Sequence, residues 1–72
     1  MTESQTMRVL NYMRTHGGIT SMDAFRDFGI TRLSARIFDL RKLGYDISNV
    51  NREAVNKYGE MSVFVEYRLT NR

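Results

Sequence analysis

GITRLSARIFDLRKLGY, residues 29–45, is the stretch on which the fold of this 72-residue chain turns. Leu33, Ile37 and Leu40, with Gly44 beyond them, fall on one side of a helix when successive residues are placed about 100° apart. The other side presents Thr31, Arg32, Ala35, Phe38, Asp39 and Lys42, with Ser34 and Arg41 on one shoulder and Arg36 on the other. Thr31 stands where an N-cap belongs and Gly44 where a helix stops, so a helix is predicted from Thr31 to Leu43. Within it Arg32, Arg36, Arg41 and Lys42 meet a single acid, Asp39. The chain has 11 Lys and Arg and 8 Asp and Glu, so seven of each remain outside this helix. The formal net charge of +3 therefore resides on it alone.

Upstream, Gly29 ends an earlier helix in the left-handed conformation, and Ile30 follows as an apolar plug. That earlier helix spans residues 21–28. Thr20 and Asp23 supply its capping box, and Met22, Phe25 and Phe28 share a face. Residues 2–16 read as a first helix, with Thr2 and Gln5 as a capping box. Thr6, Val9, Leu10 and Met13 form its apolar stripe, His16 lies in its last turn, and Gly17-Gly18 end it. Ile19-Thr20 has room for a very short strand.

Downstream, the period changes from helical to alternating. Residues 45–55 are rich enough in β-branched and aromatic side chains for a strand. In residues 61–69, Met61, Val63, Val65, Tyr67 and Leu69 point one way, and NKYGE at 56–60 has the Asn and Gly of a hairpin loop. Phe64 faces away from that apolar side and is a candidate for an oligomer surface. Met7, Met13, Met22 and Met61 are expected to fill gaps in a small core.

Composition sets outer limits. The length suits one domain over residues 1–72, which would hide only about 60% of the surface of its unfolded chain. There is no cysteine, so neither disulfides nor a thiolate metal site can reinforce the core. That absence is compatible with the cytoplasm. No apolar run is long enough to cross a membrane, and no signal peptide is evident. A pI near 9.7 leans toward an anionic partner.

A short helix, a tight glycine turn, an apolar plug and a basic helix together make a helix-turn-helix, and the hairpin after it makes a wing. The expected fold class is therefore α+β: a winged helix-turn-helix of three helices, a short strand after the first, and a C-terminal β-hairpin wing. GGITSMDAF, FGITRLSARIFDLRKLGYDI, YGE and EYRL also resemble small phage and prophage helix-turn-helix proteins across nearly the whole chain. That resemblance implies double-stranded DNA binding and a small regulator or accessory factor, with the wing touching the flanking backbone or minor groove.

The candidate DNA-binding residues are Thr31, Arg32, Ser34, Ala35, Arg36, Phe38, Arg41 and Lys42 on the third helix. Arg52, Lys57 and Tyr58 join them on the wing. Thirteen residues of helix span roughly 20 Å and fit a major groove about 12 Å wide. Ser34 and Ala35 are small enough for the backbone to approach base edges, and the cations around them reach phosphates or, near the helix start, a guanine. If about five cations meet phosphates, log affinity falls with log salt with a slope near −4 to −5. Arg36 stands beside the apolar seam, where pairing with Asp39 or an acid of the second helix competes with DNA contact. For Phe38 the first expectation is packing under the wing; contact with a thymine methyl or a protein partner are the alternatives.

The exposed aromatics Phe38, Tyr58 and Phe64 also suit a second class of function, a winged-helix module binding a host or phage protein. Homodimerisation would strengthen binding to a two-fold DNA site, although no dimer surface is evident in the sequence. His16 has no companion at metal-ligand spacing, and Gly17-Gly18 lacks the lysine of a phosphate loop. No nucleophile, base and orienter can be assembled, so neither a cofactor nor enzymatic activity is expected.

Overall fold

The structure, a computed structural model, describes residues 4–70. Its elements run α1 (Gln5–His16), β1 (Gly18–Thr20), α2 (Ser21–Phe28), α3 (Leu33–Lys42), β2 (Ile47–Val55) and β3 (Met61–Leu69). Helix α1 begins where Ser4 Oγ accepts the Met7 N–H at 3.2 Å, so Ser4 is the cap. The expected cap at Thr2 lies outside the described residues. Thr20 and Asp23 form the expected capping box, each side chain accepting the other's backbone N–H at 3.1 Å.

The turn between α2 and α3 rests on Gly29, at φ 67° with open space around its missing Cβ. Ile30 then donates to the Ala24 carbonyl at 3.1 Å and drops into the core. Helix α3 is shorter than expected at both ends. Arg32, not Thr31, occupies its N-cap position, and no side chain caps it. Its first turn depends on the Arg32 carbonyl, which accepts the Ala35 N–H at 3.1 Å. Strand β2 begins at Ile47 and not at residue 45, because Tyr45 folds back to donate its N–H to the Leu40 carbonyl at 3.2 Å.

The core gathers Val9, Leu10 and Met13 of α1, Ile19, Ala24, Ile30, the α3 seam Leu33, Ile37 and Leu40, and Ile47. Tyr12, Phe28, Tyr45, Tyr67 and Leu69 close its margins. The strands form one antiparallel sheet in the order β1-β3-β2. β1 covers only Glu66 to Arg68 of β3, whereas β2 follows β3 along its full length. The outer half of the hairpin therefore projects beyond the core and contributes to a longest dimension of 42 Å.

Three expectations from the sequence do not hold. Met61 and Val63 alternate as predicted but are 64% exposed, because no helix lies over the distal hairpin. Met22 and Phe25 do not share Phe28's burial: they are 74% and 62% exposed, and Ala24 carries the buried side of α2. Of the four methionines expected to fill the core, only Met13 is buried. A helix of two turns in so small a domain has a narrow buried stripe, and one small residue fills it.

Candidate nucleic-acid interface

With Leu33, Ile37 and Leu40 fixed in the core, the rest of α3 has no choice of direction. Thr31, Arg32, Ser34, Phe38, Arg41 and Lys42 are exposed, while Ala35, Arg36 and Asp39 are half-buried. Arg32 makes no side-chain hydrogen bond or ion pair with another described residue. Lys42 Nζ sits 5.5 Å from the centre of the Phe38 ring, an arrangement that leaves its charge available to solvent. Phe38 is 60% exposed and therefore does not pack under the wing.

Three predicted cations are committed elsewhere. Arg41 Nη2 donates to the Ile47 carbonyl at 2.8 Å and to Asn49 Oδ1 at 2.7 Å, so it joins the end of α3 to the base of the wing. Arg52 Nη2 lies 2.7 Å from Glu66 Oε1, and Arg68 Nη1 reaches the same oxygen at 3.1 Å. Arg52 thus lies over the sheet and does not extend from the wing. Arg36 Nη2 meets Asp39 Oδ2 at 3.5 Å, the partner weighed for it in the sequence, and its Nε is buried without a hydrogen-bond partner. These three guanidiniums are structural in the state described.

Glu66 was not singled out in the sequence, although its position two residues before Arg68 puts both on one sheet face. The hydrogen bond from Arg52 holds its carboxyl below the ordinary range. Partial burial works against this, and the Arg68 hydrogen bond adds to it. The acid also fills the space over Gly18, where a Cβ would come within 2.9 Å of Glu66 Oε2. Asn49 was likewise missed, since an isolated asparagine in a strand carries no signal of its partner.

The wing tip is built by Asn56, whose Oδ1 accepts the N–H groups of Tyr58 at 2.9 Å and Glu60 at 3.0 Å. Lys57 and Tyr58 stand exposed there, with Lys57 Nζ 5.3 Å from the Tyr58 ring centre. The residues left presentable to a polyanion are therefore Arg32 and Lys42 on α3 and Lys57 on the wing, around Thr31, Ser34, Phe38 and Tyr58. Among the described residues, no three His, Asp or Glu side chains gather as metal ligands, and no helix is long and apolar enough to cross a membrane.

Three helices with a tight turn between the second and third, a three-stranded sheet and a projecting hairpin define a winged helix-turn-helix protein. The chain belongs to the winged helix-turn-helix domain family, whose model matches residues 4–72. That fold is typically a DNA-binding one and not an enzyme's. No curated protein and no solved structure matches the chain.

Proposed function

We propose that this protein binds double-stranded DNA, with α3 in the major groove and the hairpin tip beside it. The carrying observation is that α3 is pinned from behind by Leu33, Ile37 and Leu40 while Arg32 and Lys42 stand outward. Ser34 gives the outer face a place where the helix can approach base edges closely, with half-buried Ala35 beside it. Arg32, at the helix start, is the candidate for a guanine contact; Lys42 and Lys57 suit phosphates. The proposed role is a small transcriptional regulator or accessory factor of the phage and prophage kind, acting in the cytoplasm as one domain over residues 1–72.

Binding of a fluorescent duplex by wild-type protein and by a variant carrying Arg32→Ala, Lys42→Ala and Lys57→Ala tests this mechanism. Loss of affinity in the variant with unchanged thermal unfolding supports it, and undiminished affinity removes it. Selection of duplexes from a random library then reports the preferred sequence. The exposure of Phe38 favours a second reading, in which the same face docks on a protein. Phe38→Ala would then abolish capture of a protein partner from nuclease-treated extract while leaving duplex affinity intact.

A further inference from the structure

β3 is covered by β1 only at Glu66 to Arg68, so its stretch Met61 to Val65 has one edge that no described residue pairs. The direction of the unpaired groups follows from the hairpin register. Asn56 N–H donates to the Glu60 carbonyl at 2.9 Å, and Thr70 N–H donates to the Asp46 carbonyl at 2.8 Å. The register between these two pairs is unbroken, so even-numbered residues of β3 bond to β2. Met61, Val63 and Val65 then point their N–H and C=O groups at the open side.

Exposed edges are ordinarily guarded by charge, proline, a bulge or a covering group. The outer edge of β2 follows that pattern. Arg41 covers the Ile47 carbonyl, and Asn49, Asn51, Arg52 and Glu53 line the strand. MSVFV at 61–65 has no charge, no proline and no bulge. Its large side chains are apolar on both faces, with Met61 and Val63 on one and Phe64, beside Ser62, on the other. Beside it opens a groove of about 790 Å³, lined by Met22, Asp23, Phe64, Val65 and Tyr67 among others.

We propose that this edge pairs with the same edge of a second copy, antiparallel, about a two-fold axis through Ser62. The segment is self-complementary in the way such an axis demands: it is uncharged, so no like charges meet, and its outward backbone groups fall opposite one another. The pairing also sets Glu60 of the second copy opposite Phe64, whose neighbour on β2 is Arg52, at the margin of a cluster in which two guanidiniums surround one carboxylate. Opposite charge thus flanks a neutral joint. The partner's hairpin tip, with exposed Tyr58, enters the groove beside Met22. The joint needs no nucleic acid, so it stands or falls separately from DNA binding.

Sedimentation equilibrium of the full chain without nucleic acid, from about 10 to 500 µM, reads the outcome. Wild-type protein is expected to form a closed dimer. Val63→Lys, at an exposed position, should weaken association about 100-fold or more by setting two ammonium groups across the axis. Leu43→Lys, on the end of α3, should leave association unchanged, and circular dichroism confirms that each variant is folded. Wild type that stays monomeric throughout, a dimer that survives Val63→Lys, or an open ladder of higher oligomers would each overturn the proposal.

Discussion

Arg41 of α3 and Asn49 of β2 are joined by a hydrogen bond of 2.7 Å, and the same guanidinium nitrogen also holds the Ile47 carbonyl at 2.8 Å. One side chain therefore sets the angle between the basic helix and the wing. A cation that reads in sequence as a phosphate contact acts in the fold as a strut.

Arg41→Ala should accordingly lower stability by about 1 kcal/mol, the usual value of a hydrogen bond of this kind, and lower Tm by about 4–8 °C. Arg32→Ala should leave Tm within about 1 °C while weakening duplex binding, since an exposed side chain without a described partner contributes little to folding. Thermal unfolding of the two variants, beside their duplex affinities, separates strut from contact.

Salt dependence counts the cations that reach phosphate. Five contacts would give a slope of log affinity on log salt near −4 to −5. With Arg41 and Arg52 engaged inside the protein, Arg32, Lys42 and Lys57 remain, and a slope of about −2.7 is expected for a single copy on DNA. A slope near −5 from a monomer would mean that Arg41 or Arg52 leaves its partner on binding.

The Arg52–Glu66–Arg68 cluster makes stability sensitive to acid. Glu66 titrates below its ordinary value of 4.5 in the folded chain, chiefly through the Arg52 hydrogen bond. A depressed carboxyl contributes stability that is fully present above the unfolded pKa and is lost as pH falls through the folded one. Tm should therefore decline below about pH 4.5, and Glu66→Gln should have a flatter Tm profile from pH 6 to 3 than wild type. Equal acid sensitivity in the two proteins would assign the effect to other carboxylates.

Thr20→Ala removes one half of the capping box at α2 and should cost about 1 kcal/mol. Thr20→Ser keeps the accepting oxygen and should restore most of that loss. Because α2 spans only eight residues, the effect should extend to the whole cooperative transition, measured by urea unfolding at unchanged slope.

Local chemistry explains why the element order was legible in the sequence. Thr20 with Asp23, Gly29, Ile30, the Leu33–Ile37–Leu40 spacing and the Asn and Gly of the hairpin turn each act through neighbours within a few residues, so their consequences travel with the sequence. The α3 cap was misplaced by one residue because no side chain marks it. Among the basic candidates, the partners that decide their roles are Asn49 and the Ile47 carbonyl for Arg41, and Glu66 for Arg52. Those lie on other strands, and no helical or strand period connects them.

The sequence by itself determined that a basic helix would stand on an apolar seam and be followed by a hairpin, because periodicity dictates which residues can be buried together. Only the tertiary structure decided which cations stay available and which strand edge stays open. Both depend on how far one element reaches along another: β1 stops at Glu66, and the end of α3 meets the base of β2.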